Sequence, residues 1–121
     1  MKVLVTVDRA WQNWAAIWRE LAKLPPDTRV IHGGCRGADR IAGHIAKALG
    51  MDVVAYPADW NTHGKAAGPI RNSMMLRHER PDLVLAFHPD LKHSRGTADC
   101  VRQALAQARK SGRPVVLEFA S

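Results

Sequence analysis

The chain has little of what marks secreted, membrane-spanning or disulfide-rich proteins. Its two cysteines, Cys35 and Cys100, are too few for a disulfide framework and too far apart for a C-x-x-C motif. The longest apolar runs have the length of a β-strand, so no segment is predicted to span a membrane. The first residues, MKVLVTVDR, lack the features of a signal peptide. We therefore expect a cytoplasmic protein with a single domain over residues 1–121.

Motifs of several enzyme and metal-binding classes are also missing. The glycine-rich segment reads GGCRG at residues 33–37, which is neither G-x-G-x-x-G nor a Walker motif with its lysine and serine. The six histidines form no H-E-x-x-H or other ligand-spaced pair, so neither a metal site nor a cofactor is predicted. Acidic residues are outnumbered, and the net charge is +7. A basic chain can bind nucleic acid, an anionic membrane or a phosphorylated small molecule, and the positions of the charges distinguish these classes.

Five apolar, β-branched runs alternate with four helical patterns. The strands are predicted over residues 3–7, 29–32, 52–56, 83–87 and 114–119. The helices are predicted over residues 11–24, 38–49, 66–80 and 97–110. This alternation predicts an α/β fold, a single Rossmann-like, doubly wound parallel five-stranded sheet with helices on both faces.

The first helical pattern is rich in tryptophan. Trp11, Trp14 and Trp18 fall on one predicted stripe with Leu21, and Asp8 is the expected N-cap. Aromatic stripes at helical spacing usually serve the core or a subunit interface, and a nucleic-acid platform is the weaker alternative. The stripe predicts a homo-oligomer formed through this helix.

The stretch VIHGGCRGAD at residues 30–39 has the order strand, glycine turn, helix. Glycines let the backbone approach an anion, and the unpaired N–H groups of a helix's first turn point at it. Arg36 adds a planar set of donors at the same place. A tight turn that binds nothing is the alternative. For Cys35, a reactive thiol and a small residue filling the loop are both open interpretations.

Arginines follow the strands at the edge where ligands of this fold class bind. Doubly wound sheets bind ligands beyond the carboxyl ends of the strands, where the strand order reverses. Arg9, Arg36 and Arg95 follow the first, second and fourth predicted strands, which favours an anionic, phosphorylated ligand. The other candidates at this edge are Asp59, Trp60, Lys65, His88, Gly96 and Thr97.

Five motifs occur along the chain in a characteristic order. They are Arg9…Trp11, GGCRGAD (33–39), PADW (57–60), GKAAGPIRN (64–72) and RGTAD (95–99). Together they resemble the YspA/YpsA-related branch of the SLOG superfamily. That superfamily includes the LOG phosphoribohydrolases and the Rossmann domain of DNA-processing protein A.

The resemblance implies a nucleotide or nucleotide-derived ligand, such as one containing phosphate or ADP-ribose. It implies that Gly33, Gly34, Arg36 and Gly37 cradle phosphate, that Arg71 and Asn72 lie near the ligand, and that Gly96-Thr97 forms a second cradle. LOG enzymes rely on glutamates after their Gly-Thr pair, whereas the nearest acid here is Asp99. This departure favours a sensor or sequestering module over an enzyme.

An enzyme of this family would hydrolyse an N-glycosidic bond, which requires a carboxylate. Asp99 is the first candidate for it and Asp39 the second, although acids early in a helix also stabilise it by complementing the macrodipole. Binding of single-stranded nucleic acid ranks last. It calls for a basic stripe with aromatic residues outside the pocket, whereas the arginines converge on the strand ends.

Overall fold

Strands and helices alternate along the described chain, which comprises residues 1–34, 38–89, 95–112 and 114–119 of a computed structural model. The strands are β1 (Lys2–Val7), β2 (Arg29–His32), β3 (Asp52–Ala55), β4 (Leu83–Phe87) and β5 (Val115–Phe119). The helices are α1 (Trp14–Ala22), α2 (Ala38–Ala48), α3 (Trp60–His63), α4 (Ala67–Glu79) and α5 (Arg95–Ser111), with a 3₁₀ turn at Gly64–Ala66.

All five strands are parallel and lie in the order β3-β2-β1-β4-β5. In register, Val3 of β1 lies opposite Val30 of β2 on one side and Leu83 of β4 on the other. A central parallel strand is buried on both faces, which explains why β1 is a continuous apolar run. The predicted α/β architecture with a parallel five-stranded sheet is confirmed.

Helices cover the sheet on both faces and create two apolar clusters. Val5 belongs to the cluster beneath α1 and α2, where it packs with Ala42. Leu4, its neighbour on the opposite face of the same strand, packs with Met75 of α4 and Cys100 of α5. Burial raises the pKa of the Cys100 thiol to about 12, so this cysteine is an inert packing group. Among the described residues, no helix combines the length and apolar character needed to cross a membrane.

The start of the first helix differs from the prediction. α1 begins at Trp14, and its N-cap is Asn13, whose side chain accepts a hydrogen bond from Ala16 N at 3.2 Å. Asp8, the expected cap, instead accepts from Ala10 N at 2.9 Å. The chain between them turns around Trp11, whose indole N–H donates to the Asn13 carbonyl at 2.9 Å. An aromatic anchor in this turn therefore delays the helix by three residues.

Consequently the tryptophans do not form one helical stripe. Trp11 is 2% exposed and packs edge-to-face on Phe87 with the ring centroids 5.5 Å apart. Trp14 is half-buried against the same cluster, whereas Trp18 is 45% exposed. An interface formed by this helix would involve Trp14 and Trp18 without Trp11. A homo-oligomer remains a prediction.

The segment after β3 is more ordered than the polar loop expected from the sequence. It contains the short helix α3 and the 3₁₀ turn before α4 begins at Ala67. Pro69 lies in the first turn of α4, where its missing N–H has no intrahelical partner to lose. The helix ends at Arg80, a left-handed C-cap with φ of 48°.

The different environments of two tryptophans provide a test of this packing. Truncation of buried Trp11 to alanine leaves a large cavity and is expected to lower the free energy of unfolding by about 3–5 kcal/mol. Trp18→Ala, the control, is expected to cost less than about 1 kcal/mol. Urea unfolding followed by circular dichroism measures both, and equal losses would contradict the described burial.

Candidate ligand site at the carboxyl ends of the strands

The strand order reverses between β1 and β4. The chain goes from β1 to β2 and β3 on one side, then crosses to β4 on the other. Val7 and Phe87 end these two strands opposite each other, and Asp8 N donates to the Phe87 carbonyl at 2.9 Å. In doubly wound folds, ligands bind beyond the strand ends at the point where the strand order reverses. Arg9 lies here and is exposed.

The start of α5 lies against the same edge. The hydroxyl of buried Thr97 is 3.2 Å from the hydroxyl of Thr6 on β1. Gly96 is exposed, and a Cβ added to it would contact nothing within 4 Å. Unpaired N–H groups and the positive end of the dipole make the first turn of a long helix favourable for an anion. This is the place where the predicted Gly96-Thr97 cradle would act.

Arg71 of α4 reaches the ends of β2 and β3. Its Nη1 donates to the Gly33 carbonyl at 2.5 Å and to the Tyr56 carbonyl at 3.5 Å. Its Nε donates to the side-chain oxygen of Asn72 at 2.8 Å. The guanidinium is thereby fixed at the strand edge, where it contributes a permanent positive charge.

Gly33 is required for this approach. A Cβ at Gly33 would lie 2.2 Å from Arg71 Nη1 and 3.0 Å from Asp39 Oδ2. The turn continues through Gly34, which has φ of 65° and faces Pro57. The first two glycines of the predicted cradle therefore serve close packing and a left-handed turn, in addition to any contact with a ligand.

Asn72 and Asp99 connect α4 to α5. Asn72 is 2% exposed and donates to the Gly96 carbonyl at 3.2 Å and to Asp99 Oδ2 at 3.0 Å. Asp99 also accepts from Arg102 at 2.6 Å and from Gln103 at 2.7 Å. Three side chains thus donate to one carboxylate, an arrangement that holds the start of α5 in place.

Asp39, the second candidate for catalysis, lies in the first turn of α2 and is 5% exposed. Its Oδ1 accepts a hydrogen bond from Val7 N at 3.3 Å. The carboxylate thereby joins α2 to the end of β1. Asp39 is close to the strand edge but engaged with the backbone.

His32 supports the glycine turn, a role that sequence reasoning did not distinguish from ligand contact. Its Nδ1 accepts a hydrogen bond from Gly34 N at 3.0 Å, which requires that nitrogen to be unprotonated. Burial lowers the pKa of His32 below 6.5, and the charges of Lys47 and Arg71 act in the same direction. The imidazole is therefore neutral at pH 7, with its proton assigned to Nε2.

His88 occupies the end of β4 as expected. Its Nε2 is 3.2 Å from Glu118 Oε1 on β5, and its buried Nδ1 has no hydrogen-bond partner among the described residues. This histidine therefore links the ends of β4 and β5, and its Nδ1 is shielded from solvent.

The segment after β3 carries three more candidates. Asp59 caps α3, and hydrogen bonds from Thr62 lower its pKa. Trp60 is 56% exposed, and its ring edge lies 3.6 Å from where a Cβ on Gly68 would be. Lys65 is exposed in the 3₁₀ turn.

Some predicted residues lie outside the described part of the structure. Cys35, Arg36 and Gly37 are among them, and Arg95 is described only as the first residue of α5. Within the described residues, no group of three histidine, cysteine, aspartate or glutamate side chains is placed to hold a metal ion.

Comparison with known proteins identifies the family. Residues 1–63 match the model of the YspA, cpYpsA-related SLOG family. The chain belongs to this SLOG family. It is also 40% identical over 124 residues to the Gene 61 protein of Mycobacterium phage D29, an alignment that covers 95% of this chain and 94% of that protein.

The SLOG match and the phage relative cover different parts of the candidate site. The family model extends from β1 through α3 and includes the glycine turn with Gly33 and Gly34. Arg71, Asn72 and Asp99 lie beyond it, in the half of the chain that only the longer alignment reaches.

Exchange of Gly33 for alanine tests the close approach of Arg71. The new methyl group would displace the guanidinium and overpack the turn, which is expected to lower the free energy of unfolding by about 1–3 kcal/mol. Gly96→Ala is the control, and the open space there makes it neutral or stabilising by about 0.5–1 kcal/mol. Thermal unfolding compares them, and a neutral Gly33→Ala variant would contradict the packing described.

Titration of His32 tests the turn's electrostatics. The pKa of His32 is lowered in the folded state, so the unfolded chain binds more protons than the folded chain does. The contribution of the neutral imidazole to stability is therefore present above pH 6.5 and is lost as the pH falls through the folded-state pKa. The free energy of unfolding should fall less steeply between pH 7 and 5 in His32→Gln. NMR titration measures the pKa directly, and a value above 6.5 would refute this account.

Proposed function

We propose that this SLOG protein binds a nucleotide or nucleotide-derived small molecule at the carboxyl ends of its strands, as a sensor or sequestering module. The observation that carries the proposal is the position of Arg71, which is held at the Gly33 carbonyl beside the strand ends. Membership of the SLOG family supports a nucleotide-related function. The expected ligand contains phosphate, as ADP-ribose does.

Arg71 retains hydrogen-bonding capacity for such a ligand. Its Nε and Nη1 bind Asn72 and two backbone carbonyls, and in the proposed complex its Nη2 donates to the phosphate. A guanidinium that is already oriented loses little conformational entropy when it binds a phosphate. The first turn of α5, with Gly96 and Thr97, offers backbone donors at the same edge.

The surroundings of the two acids favour binding over turnover. A carboxylate that activates water or stabilises an oxocarbenium ion needs an oxygen directed at the substrate. Asp99 already accepts hydrogen bonds from Asn72, Arg102 and Gln103. Asp39 is buried and accepts from a backbone N–H of β1. Both carboxylates therefore have structural partners that account for their presence.

Trp60 is a candidate for contact with a base. Its ring is exposed and lies beside Gly68, one turn before Arg71 on α4. Aromatic rings stack on nucleobases with little sequence preference. In the proposed complex the ring covers the base while Arg71 binds the phosphate.

The test is calorimetric titration with AMP, ADP-ribose and cyclic ADP-ribose, followed by mass spectrometry of the recovered ligand. Loss of a charge-assisted hydrogen bond in Arg71→Gln is expected to weaken binding about 10- to 100-fold. Arg77→Gln removes an exposed charge from the same helix and serves as the matched control. The ligand should be recovered unchanged.

Other outcomes would replace the proposal. Release of a free base that Asp99→Asn abolishes would make the protein a nucleotide hydrolase. Absence of binding by every phosphorylated compound would refute the ligand site. Equal weakening by Arg71→Gln and Arg77→Gln would reduce the interaction to general attraction by a basic protein.

A further inference from the structure

A basic groove lies on the outer flank of α2, beside the edge strand β3. Its volume is about 460 Å³. Arg40, His44 and Lys47 of α2 line one side, and Val53 and Ala55 of β3 line the other. This volume lies within the range of small-molecule sites. The groove opens on the α2 face of the sheet, whereas Arg71 reaches the strand ends from α4.

The basic side chains of the groove share one flank of a helix. Residues 40, 44 and 47 are spaced by four and three positions, so they line up along α2 over a rise of about 10 Å. All three are exposed, and none forms an ion pair with a described residue. Among the described residues that line the groove there is no carboxylate. The positive charge is therefore not neutralised within the groove.

His32 adds a directed donor to the wall. A Cβ on Gly43 would lie 2.8 Å from His32 Nε2, so glycine is needed for the imidazole to reach this position. Because Nδ1 accepts from Gly34 N, the neutral ring carries its proton on Nε2, toward α2 and the groove.

The apolar wall of the groove distinguishes its occupant from a bare ion. Val53 is half-buried and Ala55 is exposed on β3, and Pro57 follows at the strand end. These side chains suit the carbon skeleton of an organic molecule, and the long side chains of Arg40 and Lys47 can converge from the two ends of the flank on a diphosphate group.

We propose that this groove is a second anion site, which binds a small molecule carrying two phosphate groups. Arg40 contacts one phosphate of a diphosphate group and Lys47 the other, and the apolar wall of β3 covers the carbon skeleton attached to this group. The groove adjoins the glycine turn, because Gly34 and Pro57 also line it. Its cationic residues, Arg40 and Lys47, belong to α2 and differ from Arg71, on which the proposed function rests.

Titration of the full chain with inorganic pyrophosphate at constant ionic strength tests the site. In NMR spectra we expect the amide signals of Gly43, His44 and Ala55 to shift. Loss of both charges in Arg40→Gln/Lys47→Gln is expected to raise the dissociation constant about tenfold. The control Arg77→Gln/Lys110→Gln removes two exposed charges elsewhere and should change it less than about twofold.

Ala55→Glu is a second variant that leaves every basic residue in place. A carboxylate in the groove should repel pyrophosphate and abolish the shifts, while circular dichroism remains unchanged. Signals that shift only at Gly96 and Thr97 would place the anion at the strand ends and overturn the proposal. Equal affinity for orthophosphate would overturn the two-phosphate requirement.

Competition with single-stranded DNA separates a small-molecule site from a nucleic-acid surface. Oligonucleotides of increasing length should displace pyrophosphate equally well. Displacement that strengthens with oligonucleotide length would instead identify a nucleic-acid track and refute the proposed ligand class.

Discussion

The contact between the Arg71 guanidinium and the Gly33 carbonyl is the constraint on which the candidate site depends. It requires a glycine in the turn after β2, because a side chain there would occupy the position of the guanidinium. It also requires Asn72 to hold Nε, and Asn72 in turn binds Gly96 and Asp99 at the start of α5. Hydrogen bonds to charged groups contribute more than neutral ones. One arginine thus links three elements whose ends meet at one edge of the sheet.

Several carboxylates are buried and bind other groups of the protein, and this affects how charge is distributed over the surface. Asp39, Asp99 and Glu79 are buried and bind groups of the protein itself, Glu79 through Arg29 at 3.3 Å. Buried carboxylates need such partners because desolvation is costly. These three acids therefore stabilise contacts between elements, while many of the lysines and arginines stay on the surface. The positive charges behind the net charge of +7 can therefore attract anions from solution.

The strand positions, the parallel sheet and the edge that carries the candidate residues were predictable from the sequence. Apolar runs and glycine turns are local signals, and the topology of α/β folds is restrictive. Trp11 could not be placed correctly, because its indole bonds to Asn13 and packs on Phe87, a contact between distant segments. The partners of Asp99 and the orientation of His32 also depend on tertiary packing. A helical pattern at residues 40, 44 and 47 was present in the sequence and would have revealed the basic flank of α2.

The central position of β1 has a consequence for how the protein is made. Val3 pairs with Val30 on one side, but its other neighbour, Leu83, is synthesised much later. Until β4 emerges from the ribosome, the first strand has an open edge, and such edges pair readily with other chains. The half that matches the family model, residues 1–63, contains only β1, β2 and β3. On its own, that half would leave one edge of β1, the central strand of the complete sheet, without a partner strand.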